Sequence, residues 1–524
     1  MGTGKNAVMP TYDRKLFMKD AVAGFTLFVM LVPQGMAYAM LAGLPPVYGL
    51  YVSTIPVIIY ALFASSRHLS TGPVAITSLL VVSGVSLYAE PGTEEYISLV
   101  ITLSLMVGLL QLLLGAMKAG IIVQFISGPV MGGYTSAAAI VIGLSQLQHF
   151  LGIETGNHLQ IHLLVIKTVQ NLETIHLLTL LIGIASTCIL LLFKKYVPRF
   201  PAALAVVMLS TVIVYLFSLH GKGVSIVGEV PKGFPVLAWP NIDLSMIGTL
   251  LPAALTIALL GFMESLSISK AIAVRENYKI NPDRELIALG LANTAGSFLQ
   301  GFPVNGSFSR TAVNYQTGGK TQMSSIITAV LVMVTLLFFT SYFYYLPNAV
   351  LASVVMVAVY KLIDFKGMKT YFKVKRDDGW SWVVTFTLTL LAGVKWGIML
   401  GIVFSFLLIL KRSMLPVVKQ REEEEPELTL QDCSQNPEKA IILSIDSALH
   451  FANISRVRKQ IEQFCIHNRN ADLVILDMGG VDDIDTTATE MLQEMMEELQ
   501  KEQAKTIILV NRKKSVSGMF RRNG

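Results

Sequence analysis

The stretch Gly301-Phe-Pro-Val-Asn-Gly-Ser-Phe-Ser-Arg-Thr-Ala-Val-Asn314 interrupts two long apolar segments with polar residues. A proline and a glycine inside it disfavour regular helix, so we expect a new helix to begin near Ser307. The free N–H groups and the positive dipole end of that helix would point at whatever lies in front of them. Ser307 and Ser309 add hydroxyl donors, and Arg310 adds a fixed charge. Together these features predict an anion-binding site.

The position of this stretch in the chain supports the same reading. Non-helical backbone at membrane depth is tolerated only where it is buried in protein or lines a cavity, and broken helices mark binding sites in transporters. The alternative is a helix kink without a binding role, in which Arg310 snorkels to the membrane interface, since charge inside a membrane is costly.

The composition is typical of a helical membrane protein. Of the 524 residues, 53% are hydrophobic and 15% are charged, and the mean hydropathy is +0.59. These values exclude an ordinary soluble protein. The net charge of +6 follows membrane topology and does not argue for nucleic acid as a partner. The first apolar segment is long and lacks a small-residue cleavage pattern, so no cleavable signal peptide is expected.

Hydropathy predicts fourteen apolar segments in two sets of seven. The first set covers roughly 21–42, 47–64, 72–88, 96–117, 121–148, 175–193 and 200–219. The second set covers roughly 247–273, 285–302, 307–318, 322–346, 348–360, 380–394 and 396–412. Several of these segments are shorter than the about 20 residues that a single membrane-spanning helix needs.

Basic residues alternate between the loops that join these segments. One set of loops carries Arg67, Lys118, Lys194, Lys195, Arg199, Lys270, Arg275, Lys279, Arg284, Lys320 and the basic residues from Lys361 through Arg376. The other set carries only Lys167, Lys222, Lys232 and Lys395. Because cytoplasmic loops are enriched in Lys and Arg, we predict a multi-pass protein of the cell membrane with both termini in the cytoplasm.

Two polar interruptions occupy corresponding places in the two sets. Ser70–Ser78 opens the third segment of the first set, and Asn305–Thr311 opens the third segment of the second. Each is a small, polar, glycine-containing start to a short helix, as in inverted repeats whose two helix N-termini meet near the membrane midplane. The predicted fold is therefore an all-α polytopic membrane protein with 14 transmembrane segments in a 7+7 inverted repeat, at about 21–219 and 247–412.

One carboxylate lies inside an apolar helix of the second set. Glu264 follows the run Leu259–Met263, and an ionisable residue at such a position marks a functional site by default. A carboxylate beside an anion pocket is expected for coupling to a cation, so we predict that Glu264 takes up H⁺ or Na⁺. The alternative is a structural ion pair between Glu264 and Arg310.

The composition changes after residue 412. We expect a cytoplasmic N-terminal segment at 1–20, a transmembrane domain at 21–412, and a charged linker at 413–437 that contains Arg421–Pro426. Residues 438–524 alternate between strand and helix patterns, which predicts a small cytoplasmic α/β domain with a mostly parallel sheet. Its predicted strands are Ala440–Ile445, Asp472–Asp477 and Thr506–Val510, and its predicted helices are Arg456–His467 and Thr486–Lys501.

Several motifs resemble one transporter family. The run Val32-Pro-Gln-Gly-Met-Ala-Tyr-Ala-Met-Leu-Ala-Gly-Leu-Pro-Pro-Val-Tyr-Gly-Leu-Tyr51 closely resembles the signature of the SulP anion transporters, prokaryotic relatives of solute carrier family 26. Gly72–Ala75, Glu264–Lys270 and Gly301–Asn314 are similar to further motifs of that family. Val474–Asp477, with Asp485 and Thr486 after it, resembles the STAS domain at the C-terminus of these proteins.

The resemblance implies a core domain, a gate domain and usually a homodimer. It also places an anion site between the third and tenth segments, where the matching residues are Val74, Ala75, Ser307, Phe308, Ser309 and Arg310, with Gln34 and Tyr38 from the first segment. Two departures stand out. The STAS domain is expected to be truncated at its C-terminal end, and Thr486 stands where soluble STAS regulators carry a phosphorylated Ser, which makes it a weak regulatory candidate.

The function implied is secondary active transport of sulfate, bicarbonate or a dicarboxylate, coupled to protons or sodium, by an elevator-like movement. The alternatives are an anion exchanger or channel of the same fold, a nucleobase-type carrier, and a membrane-anchored signalling protein that binds a cytoplasmic partner through its STAS domain. We expect no enzyme activity, no cofactor and no metal site. The pair His158 and His162 cannot complete a metal site, and the three cysteines, Cys188, Cys433 and Cys465, have no ligand spacing.

Overall fold

The computed structural model describes residues 13–120, 127–153, 161–197, 202–237, 239–240, 244–414, 418–420, 440–468, 471–503, 505–511, 513, 516–518 and 520. The charged stretch 421–426, Cys433, His158 and residues 521–524 lie outside these described residues. The chain divides into two compact units, Met1–Ser405 and Phe406–Gly524.

The first half of the chain is built from helices joined by short connections. They are α1 (Arg14–Leu41), α2 (Val47–Tyr51), α3 (Ile55–Phe63), α4 (Ala75–Val85), α5 (Glu94–Ala116), α6 (Gly128–Ser145), α7 (Leu147–Leu151), α8 (Ile161–Gln170), α9 (Leu177–Tyr196) and α10 (Ala202–Leu216). A two-residue strand, β1 (Thr71–Gly72), precedes α4. Short 3-10 helices cover Leu172–Thr174 and Leu219–Lys222.

The second half is also built from helices and likewise contains a two-residue strand just before a short helix. Its helices are α11 (Leu244–Arg275), α12 (Pro282–Phe298), α13 (Phe308–Gln316), α14 (Met323–Phe338), α15 (Asn348–Val359), α16 (Phe365–Val374), α17 (Arg376–Ala392) and α18 (Val394–Ser413). A two-residue strand, β2 (Asn305–Gly306), precedes α13 as β1 precedes α4. Short 3-10 helices cover Thr340–Phe343 and Tyr360–Leu362.

The lengths of these helices suit a membrane. Among the described residues, six helical stretches are long and apolar enough to cross one: Arg14–Leu41, Glu94–Ala116, Gly128–Leu151, Met246–Arg275, Asn348–Val374 and Trp396–Ser413. α4 and α13 have 11 and 9 residues. At about 1.5 Å per residue each covers roughly half of a hydrocarbon core about 30 Å thick. The predicted helical membrane fold is confirmed, and the count of fourteen spans stays a prediction.

The signature stretch near the N-terminus packs two helices closely. α1 begins after Asp13, whose side chain accepts a hydrogen bond from the Leu16 N–H at 2.7 Å. Further along, Gly35 of α1 faces Gly49 of α2. A Cβ placed on Gly49 would overlap the carbonyl oxygen of Gly35. The two glycines therefore let the backbones of α1 and α2 touch.

The C-terminal unit contains the α/β domain. Strands β3 (Val418–Gln420), β4 (Ala440–Ile445), β5 (Leu473–Asp477) and β6 (Thr506–Val510) form a sheet in that order. β4, β5 and β6 are parallel, and β3 is antiparallel to β4. Helices α19 (Ile454–His467) and α20 (Thr486–Gln503) connect the parallel strands. The predicted strands and helices of this domain are confirmed to within a few residues.

Three short elements differ from the sequence expectation. β3 lies within 413–437, which was expected to be linker, and α8 and α16 lie in predicted loops. β3 has only three residues, too few for an alternating pattern to be visible. α8 and α16 have ten residues each and are amphipathic, so a search for apolar membrane segments passes over them.

Gly49→Ala tests the contact between α1 and α2. The added methyl group must displace backbone, so we expect a loss of about 3 kcal/mol of stability, measured as a lower thermal unfolding midpoint in detergent. Gly248→Ala is the control, because a Cβ on that exposed glycine of α11 meets nothing within 4 Å. The control should be neutral or slightly stabilising. Equal midpoints for the two variants would contradict the proposed packing.

Candidate anion-binding site

The two helix interruptions meet in a short antiparallel strand pair. Thr71 of β1 lies opposite Gly306 of β2, and Gly72 lies opposite Asn305. α4 starts three residues after β1, and α13 starts two residues after β2. Since the strands are antiparallel and each leads directly into its helix, the N-termini of α4 and α13 start close together. We call β1, β2 and the first turns of α4 and α13 the crossing.

Hydrogen bonds from outside the strand pair lock this crossing. The Ser307 N–H donates to the carbonyl oxygen of Ser70 at 2.9 Å. The Ser70 N–H donates to the hydroxyl of Thr311 at 3.0 Å. Thr311 lies in the first turn of α13 and is fully buried. The start of α13 is thereby fixed to the residue just before β1, although 241 positions separate Ser70 from Thr311 in sequence.

Asn305 makes a second connection between the two repeats. Its side-chain amide donates to the hydroxyl of Thr77 in α4 at 2.9 Å. α11 supports this arrangement, because the Ser265 hydroxyl accepts from the Gly306 N–H at 2.8 Å. Gly261 of α11 makes room for Asn305, since a Cβ on that glycine would overlap the amide group. Both strands and both short helices are therefore held as one assembly.

The N-termini of both short helices lack side-chain caps. Val74 precedes α4 and Ser307 precedes α13, and neither side chain accepts a hydrogen bond from its helix. The Ser307 hydroxyl lies 3.3 Å from that of Ser309. An uncapped helix N-terminus presents free N–H groups and the positive end of the dipole. Two of them at one crossing favour an anion.

Arg310 is held deep in this crossing. Its side chain is fully buried, and Nη1 donates to the carbonyl oxygen of Pro73 at 2.9 Å. Nε and Nη2 have no hydrogen-bond partner among the described residues. Gly72 lies beside Nη2, and its φ of +140° is a conformation that favours glycine. Nε and Nη2 form one side of the guanidinium fork, so the unpaired donors match the two oxygens of an oxyanion.

The other predicted site residues lie on elements that pack at the crossing. α1 packs against both α4 and α13. It contributes Gln34 and Tyr38, which are both buried, and Oε1 of Gln34 has no partner. Tyr38 is close enough to Arg310 to interact with its charge. Val74 and Ala75 are buried at the start of α4, whereas Phe308 and Ser309 are exposed at the start of α13.

Glu264 lies on α11 at the edge of the same assembly. It is half-buried, and its charge interacts with that of Arg310. Among the described residues no salt bridge within 4.0 Å joins the two side chains. Tyr134 of α6 is also near Glu264, and its buried hydroxyl has no partner. The carboxylate is thus near the guanidinium without being paired to it.

The structure places the eight predicted anion-site residues and Glu264 on helices that pack against one another, and it adds residues that sequence reasoning did not assign. Ser70, Thr77, Asn305 and Thr311 hold the crossing. Asn305 and Thr311 fall inside the quoted motif, but their partners lie in the other repeat, so these contacts depend on how the two repeats fold against each other and are not visible in either motif. The described residues contain no cluster of metal-ligating side chains.

Thr486 lies apart from this site, in the α/β domain. It is exposed and is the first residue of α20. Asp485, just before it, caps this helix by accepting from the Ala488 N–H at 2.7 Å. A hydroxyl at that position is accessible to a modifying enzyme, and its regulatory role stays a prediction.

Comparison with known proteins identifies the family. The model described as sulfate permease family matches residues 17–385, and the model described as STAS domain matches residues 434–524. The chain belongs to the sulfate permease family. It is therefore an anion transporter of a multi-pass membrane family, and its relatives are transporters rather than enzymes.

Relatives of this chain occur in plants and animals. The chain is 36% identical to sulfate transporter 4.1, chloroplastic, of Arabidopsis thaliana, over 92% of this chain and 73% of that protein. It is 32% identical to the sodium-independent sulfate anion transporter of Bos taurus, over 96% of this chain and 85% of that protein.

Solved structures share the fold. The murine solute carrier 26 family member A9 anion transporter, in the inward-facing state, superposes with a TM-score of 0.90 at 24% identity, over 98% of this chain and 89% of that one. The transmembrane domain of the cyanobacterial bicarbonate transporter BicA superposes with a TM-score of 0.63 at 23% identity, over 75% of this chain and 98% of that one. At this level of identity, the likeness shows the fold alone.

Thr311→Val tests whether the crossing must be locked for the permease to bind anions. The change keeps the shape but leaves the buried Ser70 N–H without an acceptor, at a cost of about 1–3 kcal/mol. We expect lower thermal stability and weaker sulfate binding in a scintillation-proximity assay. Thr317→Val is the control, because the Thr317 hydroxyl donates to the carbonyl oxygens of Val313 and Asn314, at the end of its own helix. If both variants bind sulfate equally, the Thr311 contact is dispensable.

Proposed function

We propose that this permease is a secondary active transporter of a polyatomic anion, namely sulfate, bicarbonate or a small dicarboxylate. The observation that carries the proposal is the unpaired Nε and Nη2 edge of the buried Arg310, next to two uncapped helix N-termini. Two parallel N–H donors fit two oxygens of one anion, whereas a chloride ion cannot use that geometry. The sulfate relatives and the bicarbonate structural neighbour agree with this substrate class.

Glu264 would couple the anion to a cation. A carboxylate near Arg310 is stabilised in its charged form while the guanidinium charge is uncompensated. A bound anion offsets that charge and adds its own, so Glu264 then gains from taking up H⁺ or Na⁺. The coupling free energy is reciprocal, so the cation must tighten anion binding by the same factor.

The locked crossing also favours an elevator-like movement. α4, α13, β1 and β2 are joined by hydrogen bonds between the two repeats. Such an assembly would move as one body and would carry the anion from one side of the membrane to the other. The distribution of Lys and Arg among the loops supports the further proposal that both termini lie in the cytoplasm of a cell-membrane protein. A homodimer and a cytoplasmic partner of the STAS domain are further parts of this proposal.

Arg310→Ala tests the anion site. We expect sulfate and bicarbonate affinity to fall by about 1.5–3 kcal/mol, because a charge-assisted, partly desolvated bond is lost, while chloride affinity changes much less. Arg310→Lys should recover only part of the affinity, because lysine lacks the two parallel N–H donors of the guanidinium group. Calorimetry on the purified protein provides the measurement. Arg275→Ala is the control, because Arg275 is exposed in the last turn of α11. Unchanged sulfate and bicarbonate affinity in Arg310→Ala would place the site elsewhere.

Glu264→Gln tests the coupling. The amide mimics the protonated carboxyl group, so exchange of labelled sulfate across proteoliposomes should persist, while accumulation driven by a proton or sodium gradient should disappear. Glu94→Gln, in the exposed first turn of α5, is the control and should still accumulate anion. A Glu264→Gln variant that concentrates sulfate against its gradient would exclude Glu264 as the coupling residue. Wild-type protein that only exchanges or conducts anions would favour the exchanger or channel alternative.

A further inference from the structure

A short amphipathic helix of the second repeat has no part in the proposed anion site. α16 forms the end of the 348–374 stretch, but Ile363 and Asp364, both with non-helical backbone angles, separate it from α15 and the 3-10 helix that follows α15. It packs against α17 and α6. Its aromatic side chains contact α17: the ring centroid of Phe365 lies 5.9 Å from that of Trp382, and the ring centroid of Phe372 lies 5.9 Å from that of Trp380.

The face of α16 next to these aromatic side chains is strongly basic. Lys366, Lys369 and Lys373 are exposed and fall at i, i+3 and i+7, so they share one face of the helix. We call these three, with the flanking Lys361, Lys375 and Arg376, the basic helix surface. Within the described part of the chain none of the six forms a salt bridge. Residues 361–378 hold these six basic and three acidic residues, which leaves a net charge of +3.

The three acidic residues of this region lie at the N-termini of α16 and α17. Asp364 is the N-cap of α16, and its carboxylate accepts from the Gly367 N–H at 2.7 Å. Asp377 and Asp378 lie in the first turn of α17, where negative charge complements the helix dipole. They therefore leave the lysine face of α16 uncompensated.

Exposed apolar side chains border the same surface. Tyr360, Val374 and Trp380 are 71%, 78% and 54% exposed. Exposed tyrosine and tryptophan next to membrane helices are typical of the bilayer interface, where their rings lie at headgroup level. A short amphipathic helix with lysines on one side and such anchors beside it fits a helix that lies in the interface plane.

We propose that the basic helix surface binds the headgroups of anionic phospholipids in the leaflet that α16 faces. Lysine side chains can extend along the interface and place their ammonium groups among phosphates. Because α16 packs on α6 and α17, bound lipid would hold these helices in the plane of the membrane. The inference needs the membrane placement that the family gives and does not depend on the proposed coupling or on the identity of the anion.

The test uses the full-length protein in detergent, titrated with phosphatidylglycerol or phosphatidylcholine and followed by native mass spectrometry. The test variant is Lys366→Gln/Lys369→Gln/Lys373→Gln. Each lysine near an anionic surface contributes about fivefold, so we expect phosphatidylglycerol binding to weaken by at least about tenfold. Phosphatidylcholine should bind weakly to all forms. Lys366→Arg/Lys369→Arg/Lys373→Arg keeps the charge and should bind phosphatidylglycerol like the wild type.

The matched control is Lys270→Gln/Arg275→Gln/Lys279→Gln, which removes the same charge from the C-terminal end of α11 and the residues just after it. It should retain most phosphatidylglycerol binding. An equal loss in this control, or wild-type binding in the α16 glutamine variant, would overturn the proposal. Displacement of the lipid by millimolar inorganic phosphate would instead indicate a soluble-anion site and also overturn it. Sulfate binding at the crossing should stay unchanged in all variants, so this result is independent of the proposed transport function.

Discussion

The structure depends on how two broken helices satisfy their backbone groups at membrane depth. Hydrocarbon offers no water to unpaired N–H and C=O groups, so irregular backbone needs partners within the protein. Here β1 and β2 pair with each other, and Ser70 bonds to Ser307 and Thr311 on the opposite repeat. The break in each helix is therefore stabilised by the break in the other, and neither repeat can form its crossing alone.

This mutual dependence has a consequence for the site. Because Asn305 reaches Thr77 and Arg310 reaches Pro73, the first turns of α4 and α13 are tied together by side chains as well as strands. The distance between the two helix N-termini is then fixed by hydrogen bonds rather than by loop flexibility. A preorganised pair of positive dipole ends binds an anion without the cost of ordering loops first.

Much of this architecture could be predicted from the sequence. The proline, glycine and serine pattern of 301–314 located the start of α13, and the matching pattern at 70–78 located its partner. The direction of the Arg310 fork could not be predicted, since its partner Pro73 lies 237 positions away and spacing along one helix says nothing about it. The sequence analysis did not find the amphipathic α16 for another reason. The polar and apolar residues on its two faces give a mean hydropathy close to that of a loop.

The electrostatics of Arg310 explain why one site would serve both anion recognition and coupling. A guanidinium buried at membrane depth is costly unless hydrogen bonds and opposite charge compensate it. The carbonyl oxygen of Pro73 accepts a hydrogen bond from one of the guanidinium nitrogens. The nearby helix N-termini add positive potential, so they do not offset the charge of Arg310. Glu264 supplies negative charge without direct pairing. An oxyanion that bonds Nε and Nη2 would complete the compensation and lessen the need for a charged Glu264, so under the proposed mechanism the two binding events would be linked through a single cation, Arg310.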